Sequence, residues 1–259
     1  MSFDEIPIDE RLDCQKVVVD TKDKHKLFGI IVKHKFSSKH NDLDPILIYF
    51  QGNAGNVLAR IPIFSRILLS SSKGSVSNLQ IIAISYRGYW LSTGSPSEVG
   101  IQKDSMSIYE FVREVYPKNP IYIYGHSLGG AVALHLASDP RVQKDLKGII
   151  IENTFTSIED MVTTIYPQKW LPYRYLVHIP LLLRNKWDNK RVIREISTPI
   201  MFLSSKKDEL VPQDQMRELH ELSRTSKVWV EFKNALHEDI FFHRGYCEAI
   251  YQFINETKL

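Results

Sequence analysis

Short apolar runs without polar alternation recur along the 259-residue chain. This pattern is typical of strands that are covered on both faces of a parallel sheet. Two β-rich segments at 16–20 and 27–33 come before them, and the polar residues at 21–24 between these segments predict an antiparallel hairpin. The apolar runs that we interpret as strands lie at 45–50, 79–84, 121–124, 148–151, 199–203 and 227–232.

Helical periodicity fills most of the intervals between these runs. Alternation of strand and helix predicts βαβ crossovers and a mostly parallel, twisted sheet with helices on both faces, which is an α/β fold. We expect residues 1–259 to form one domain, with its functional groups at the carboxyl ends of the strands. The predicted helices lie at 56–69, 98–116, 127–137, 212–222 and 240–255.

One segment, at about 157–190, interrupts the alternation. It is rich in apolar and aromatic residues and contains Pro167, Pro172 and Pro180. We interpret it as an insertion that forms a small lid above the site. The alternative is a helix pair that only covers the sheet.

Gly125-His126-Ser127-Leu128-Gly129 follows a predicted strand and precedes a predicted helix. In this context a Gly-x-Ser-x-Gly motif is typical of a nucleophile elbow, in which a tight turn exposes the serine hydroxyl. Gly125 and Gly129 then provide the space that the turn needs. Ser127 is therefore the candidate nucleophile.

A serine nucleophile needs a histidine to accept its proton and an acid to orient that histidine. Asp208 lies in a turn after the run at 199–203, and His237 lies in a loop after the last strand, so the order Ser, acid, His is met. The alternative acids are Glu209, Asp214 and Glu152. We interpret the remaining histidines near these elements as packing or surface residues, with substrate contact left open for the one in the predicted lid; they are His126, His178, His220 and His243.

Backbone N–H groups must stabilise the oxyanion of the tetrahedral intermediate. Leu128, directly after the nucleophile, is one candidate donor, and Asn53 in the loop at 51–56 is the other. This loop lacks the Gly-Lys-Ser/Thr ending of a phosphate loop. For substrate contact we predict Gln51 and Gly52 in this loop and two aromatic residues of the insertion, Trp170 and Tyr173.

The 33 basic and 30 acidic side chains give a net charge of +3, which does not favour a nucleic-acid partner. Cys14 and Cys247 are the two cysteines and suit a reducing compartment better than a disulfide framework. Because the first residues do not resemble a signal peptide, we expect a cytoplasmic protein. Neither His237-Glu238-Asp239 nor His34 with His40 suggests a metal site, and none is predicted.

Several sequence blocks together resemble α/β-hydrolases of the fungal bud-emergence type, similar to alpha/beta hydrolase domain-containing protein 13. They lie at 51–56, 86–89, 94–98, 125–130, 152–157 and 186–187. The resemblance implies a serine hydrolase with Ser127, Asp208 and His237 as its triad. Relatives usually carry histidine in place of Gln51, a change that we expect to tune the site without abolishing it. Many members also have a hydrophobic N-terminal anchor, which would make the protein membrane-associated if one preceded this sequence.

These observations predict a serine esterase or thioesterase that works through an acyl-enzyme and needs no cofactor. The aromatic insertion suggests a hydrophobic acyl group on a small molecule or on an acylated protein. Two alternatives remain, a non-catalytic scaffold with the same fold and a serine peptidase. The oligomeric state is left open.

Basic residues around the insertion predict contact with an anionic membrane surface, the alternative being a merely solvated basic face. Liposomes with anionic lipid should sediment the protein, and reversal of these charges should abolish the effect because the attraction is electrostatic. Co-sedimentation that is unchanged by the reversal would contradict the prediction. The residues are Lys169, Arg174, Arg184, Lys186, Lys190 and Arg191.

Overall fold

The structure is a computed structural model that describes residues 7–35, 44–70, 78–165 and 184–257. In these ranges an eight-stranded sheet has the order β1-β2-β4-β3-β5-β6-β7-β8. β1 pairs antiparallel with β2, and β2 pairs antiparallel with β4, whereas all later pairs are parallel. The predicted hairpin and parallel sheet are therefore confirmed. The strands are β1 (Leu12–Asp20), β2 (Lys26–His34), β3 (Ile46–Phe50), β4 (Gln80–Ile84), β5 (Ile121–His126), β6 (Leu146–Glu152), β7 (Ile200–Ser205) and β8 (Lys227–Phe232).

Helices cover both faces of this sheet. They are α1 (Ile61–Ser70), α2 (Glu98–Val115), α3 (Leu128–Ala137), α4 (Pro140–Gln143), α5 (Ile158–Ile165), α6 (Asn189–Val192), α7 (Gln213–Leu222) and α8 (Tyr246–Thr257). No helix within the described ranges is long and apolar enough to cross a membrane.

Two hydrophobic cores lie on opposite faces of the sheet because successive strand side chains point to opposite sides. Ile46, Ile48 and Phe50 of β3 belong to the core shared with α2, α3 and α7. Leu47 and Tyr49 belong to the core shared with α1 and α8. All five side chains are buried, as the absence of polar alternation in this run predicts.

The predicted helix at 240–255 is wrong at its start. The chain forms a short 3-10 helix at Ile240–Phe242 and begins α8 only at Tyr246. Gly245 separates the two with a φ of 91°, a left-handed conformation that ends helical geometry and that glycine adopts readily. The helix predicted at 56–69 also differs at its start, because a 3-10 helix at Val57–Arg60 comes first and α1 begins at Ile61.

The two described ends of the predicted insertion, α5 and residues 184–187, lie near the start of α2. The Glu98 carboxylate accepts hydrogen bonds from the backbone N–H groups of Lys186 and Trp187. The Trp187 ring is buried and lies edge-on to His135, with 5.1 Å between ring centroids. These contacts connect the sequence blocks at 94–98 and 186–187. The remainder of the insertion, 166–183, lies outside the described residues.

Arg87 connects the β1–β2 hairpin to α2. Its guanidinium donates to both Asp104 and Asp23, and Asp104 also accepts a hydrogen bond from the Arg87 backbone N–H. The side chains of Arg87 and Asp104 are 7% and 0% exposed, whereas that of Asp23 is 32% exposed. Arg87 therefore has a structural role. Arg87 and Asp104 form a buried ion pair in which each charge compensates the other.

Replacement of Asp104 by alanine should lower the free energy of unfolding by about 3–5 kcal/mol, because it leaves a buried guanidinium without its main partner. Asp23→Ala is the matched control on the same arginine and should cost about 1 kcal/mol or less, since that pair is partly solvated. Urea denaturation measures both. If Asp104→Ala and Asp23→Ala lowered the free energy of unfolding equally, burial would not determine the strength of these ion pairs.

Candidate active site

Ser127 lies at the turn between β5 and α3 in a strained conformation, with φ 53° and ψ −118°. The turn brings backbones so close that a Cβ atom on Gly125 would lie 2.2 Å from the Gly129 carbonyl oxygen. A Cβ atom on Gly129 would lie 2.0 Å from the carbonyl oxygen of Phe50. Both glycines of the motif are therefore sterically required, as the nucleophile-elbow interpretation expects.

Hydrogen bonds from β6 and α3 hold this strained turn. The Ser127 N–H donates to the Glu152 carbonyl at 2.9 Å. Its carbonyl accepts from the Gly130 N–H at 2.9 Å and from the Thr154 hydroxyl at 2.7 Å. The backbone of the candidate nucleophile is thus fixed at the edge of a cavity that Ser127 lines.

Asp208 and His237 lie in direct contact. The imidazole Nδ1 of His237 lies 2.8 Å and 3.0 Å from the two carboxylate oxygens of Asp208, and both side chains are at most 3% exposed. The N–H groups of Leu210 and Val211 donate to the same carboxylate and orient it. With Nδ1 bonded to the carboxylate, Nε2 is the ring nitrogen that remains to act as a base.

Three further residues hold the backbone of His237. Its N–H donates to the Glu209 carboxylate at 3.0 Å. Its carbonyl accepts hydrogen bonds from the Asn153 side-chain amide at 3.0 Å and from His126 Nε2 at 3.1 Å. Burial lowers the pKa of His126 to about 4, so its imidazole is neutral at pH 7 and carries its one proton on Nε2.

Sequence reasoning missed the role of Asn153. Its backbone has a φ of 46°, and its side chain exchanges hydrogen bonds with the Ser205 N–H and hydroxyl, while that hydroxyl donates to the Leu236 carbonyl. Asn153 therefore connects the ends of β6 and β7 to the loop of His237. Its membership of the sequence block at 152–157 was the available signal, but the block does not reveal which loop it contacts.

The loop at 51–56 passes directly beside the elbow. A Cβ atom on Gly52 would lie 3.1 Å from His126 Nδ1 and 3.5 Å from Ser127 Cβ. Tyr89 donates its hydroxyl proton to the Asn53 side-chain oxygen at 2.7 Å, and Tyr86 donates to the Gln51 carbonyl at 2.9 Å. The tyrosines of the block at 86–89 thus support this loop at two points.

The two predicted oxyanion donors lie on the same cavity as Ser127 and His237. Leu128 is the first residue of α3, and the first N–H groups of a helix have no partner within the helix. Asn53 is exposed and lines the cavity from the opposite loop. The arrangement can therefore present two N–H donors near one nucleophile.

Gln51 does not offer its side chain to this cavity. It is fully buried, and its amide donates to the Gly55 carbonyl at 3.3 Å within the same loop. The side chain is therefore engaged within its own loop and does not make the substrate contact that we expected. Gly52 lies beside the elbow but is not among the described residues that line the cavity. The remaining two predicted substrate contacts, Trp170 and Tyr173, lie outside the described residues.

The cavity has a volume of about 820 Å³, within the size range of small-molecule sites. Its wall is mostly apolar, with contributions from α5 and from the end of the insertion. The apolar lining includes Ile101, Phe155, Ile158, Met161, Trp187 and Val211.

The competing candidates have other surroundings. Asp214 lies in the first turn of α7, and His220 packs against Phe202 and Trp229. His243 lies 3.6 Å from Asp239. His178 lies outside the described residues.

Of the basic residues predicted to contact a membrane, Lys169 and Arg174 also lie outside the described residues, and Lys190 pairs with Asp160 at 2.8 Å. The membrane contact stays a prediction.

Glu152, the rival acid, lies beneath the site in a different network. It accepts a hydrogen bond from Tyr124, whose hydroxyl is also 2.8 Å from that of Tyr246. Its nearest oxygen is 3.9 Å from His126 Nε2. Burial raises the pKa of Glu152 to about 8, so this carboxyl is mainly protonated at pH 7.

His126, His237 and Glu238 have potential metal-ligating atoms within 4.8 Å of one another. Each already has a protein partner, since His126 bonds to the His237 carbonyl, His237 to Asp208, and Glu238 to Arg60 at 2.5 Å. The two histidine bonds use His126 Nε2 and His237 Nδ1, and the remaining nitrogen of His237, Nε2, is the candidate base.

A carboxyl whose pKa is higher in the folded state binds a proton that the unfolded chain has released, so stability falls as pH rises between about 4.5 and 8. Glu152→Gln should remove this contribution. The variant should gain stability relative to wild type with rising pH, by up to about 1.4 kcal/mol per pH unit. Urea denaturation from pH 5 to 8 measures the difference. Exposed Glu256→Gln is the control, and parallel curves for wild type and Glu152→Gln would contradict the assignment.

The sheet, the elbow at Ser127 and the Asp208–His237 pair define an α/β-hydrolase fold. A family model described as serine aminopeptidase, S33, matches residues 77–195. The esterase Pf2001 of Pyrococcus furiosus superposes with a TM-score of 0.70 at 17% identity, covering 96% of this chain and 94% of that chain.

Protein bem46 of Schizosaccharomyces pombe is 35% identical over 98% of this chain and 80% of its own length. The lysophosphatidylserine lipase ABHD12 of Rattus norvegicus is 28% identical over 78% of this chain and 52% of its own length. The chain belongs to the Bem46-type family of α/β hydrolases.

Proposed function

We propose that this protein is a serine hydrolase that cleaves carboxylic ester or thioester bonds of substrates with a hydrophobic acyl group. The observation that carries the proposal is the buried Asp208–His237 pair, which shares one cavity with a strained Ser127. The expected substrates are small lipid-like molecules or acylated proteins.

The proposed reaction begins when His237 Nε2 accepts the proton of the Ser127 hydroxyl and the oxygen attacks the acyl carbonyl. The backbone N–H groups of Leu128 and Asn53 stabilise the oxyanion of the tetrahedral intermediate. His237 then protonates the leaving alcohol or thiol, and an acyl-enzyme remains. Water, activated by the same imidazole, releases the acid and restores the serine.

Asp208 keeps the imidazole in the tautomer that this cycle needs and stabilises its charged form. Because the pair is buried, the interaction is screened little by solvent. Three groups bond to the His237 backbone and two N–H groups bond to the Asp208 carboxylate, so both are held in place before substrate arrives.

The mostly apolar cavity supports a hydrophobic acyl group. The name of the rat relative, a lysophosphatidylserine lipase, supports a lipid ester, and the esterase neighbour supports ester chemistry in general. The family description as a serine aminopeptidase favours peptide cleavage as the second candidate function.

A fluorophosphonate probe should label wild-type protein and fail to label Ser127→Ala, because the probe reacts only with an activated serine hydroxyl. Labelling is read by intact-protein mass spectrometry. Ser138→Ala is the control, since Ser138 lies at the end of α3 and should leave labelling unchanged. Absence of labelling in wild type would favour a non-catalytic scaffold.

A panel of p-nitrophenyl esters of increasing chain length, the matching thioesters and aminoacyl p-nitroanilides then distinguishes the bond types. We expect turnover of esters or thioesters to exceed that of amides and kcat/KM to rise with acyl length as more apolar surface is buried. Faster cleavage of the amides would overturn the proposal in favour of a peptidase.

A further inference from the structure

Arg60 is a buried cation that the proposed cycle does not use. It ends the 3-10 helix Val57–Arg60 and is 8% exposed. One guanidinium nitrogen donates to the Glu238 carboxylate at 2.5 Å, and the other donates to the Ala54 carbonyl at 3.1 Å. One side chain thus bonds to the loop of Asn53 and to the residue that follows His237.

The parent strands of these two loops are not neighbours in the sheet. The loop at 51–56 follows β3 and the His237 loop follows β8, and β5, β6 and β7 lie between those strands. At a strand spacing of about 4.8 Å, their parent strands are about 19 Å apart. His126 at the end of β5 already bonds to the His237 carbonyl, and the Arg60 side chain adds a second connection that bonds to both loops directly.

The burial of Arg60 is energetically unfavourable by itself. Its Nε–H is buried without a hydrogen-bond partner in the described part of the chain. An unpartnered buried donor costs about 1–3 kcal/mol. A position that only needed packing would be better occupied by an apolar side chain, so the retained guanidinium indicates a role for its two bonds.

Glu238 connects this bridge to the catalytic centre. Its carboxylate lies within 4.8 Å of ring nitrogens of both His126 and His237. Its side chain is 47% exposed, so it accepts the arginine at the solvent edge of the site. Displacement of Glu238 would move the adjacent residue His237, whose position the proposed mechanism requires.

We propose that the Arg60–Glu238 pair is a positioning element that sets the separation between the Asn53 oxyanion donor and His237. Neither residue lines the substrate cavity. The proposal rests on the proposed function, because it assigns roles relative to that mechanism. Loss of the pair should therefore weaken stabilisation of the transition state and leave substrate binding nearly unchanged.

The test compares Arg60→Met, Glu238→Gln and the double variant with wild type on p-nitrophenyl butyrate and its thiono analogue. Sulfur replaces the carbonyl oxygen in the analogue, so the ratio of the two rates reports on the fit of the oxyanion hole. We expect kcat to fall by about 10–100-fold, because displacement by about 1 Å has effects of this size. KM should stay within about twofold, and the preference for the oxygen ester should decrease.

The double variant should lose no more activity than Arg60→Met alone, since both substitutions break one interaction. Arg217→Met is the matched control. It removes an arginine that pairs with Glu231 at 2.8 Å outside the cavity, and it should leave kcat and the rate ratio unchanged. Unchanged kcat and rate ratio in both Arg60→Met and Glu238→Gln would overturn the proposal.

Hydrogen exchange of the backbone N–H groups tests the positioning role independently of catalytic activity. In both variants, exchange in the segments 51–56 and 233–239 should accelerate, whereas exchange in β5 should not change. If Arg60→Met does not fold, the partly exposed Glu238→Gln provides the same test. Failure of Ser127 labelling in wild type would refute the proposed function, while unchanged exchange in both loops would refute the positioning role.

Discussion

The hydrogen bonds to the backbone of His237 are the constraint on which the rest of the site depends. His237 lies in a loop, and a loop by itself does not hold an imidazole to within a fraction of an ångström. Its carbonyl accepts from His126 and Asn153, and its N–H donates to Glu209. These partners come from the ends of β5 and β6 and from the turn after β7, so the position of the base follows from the geometry of the sheet.

The same region concentrates polar groups that burial disfavours. Glu152 is kept mainly protonated and His126 neutral, because both lie almost without solvent beneath the elbow. Burial of neutral, hydrogen-bonded groups costs far less than burial of charges. The layer under the elbow is therefore polar but nearly uncharged, whereas the ion pair between Arg60 and Glu238 lies at the solvent edge.

The contacts in the structure show how the sequence blocks of the family are connected. The tyrosines at 86 and 89 support the loop at 51–56, and Glu98 accepts the N–H groups of residues 186 and 187. Arg87 joins the hairpin to α2 through a buried carboxylate. Segments that lie far apart in the chain are therefore in direct contact in the fold.

The strands, their mostly parallel arrangement and the Ser127 elbow could be predicted from the sequence, because unbroken apolar runs and a Gly-x-Ser-x-Gly turn are local signals. Asp208 and His237 could be selected because the fold prescribes their order and both follow a strand. The break at Gly245 was missed, since an apolar periodicity continues across it. The roles of Asn153 and His126 and the bridge from Arg60 to Glu238 were decided only by the tertiary structure. They depend on which loop lies beside which strand end, and residues 52 to 178 positions apart along the chain carry no local pattern that reveals such contacts.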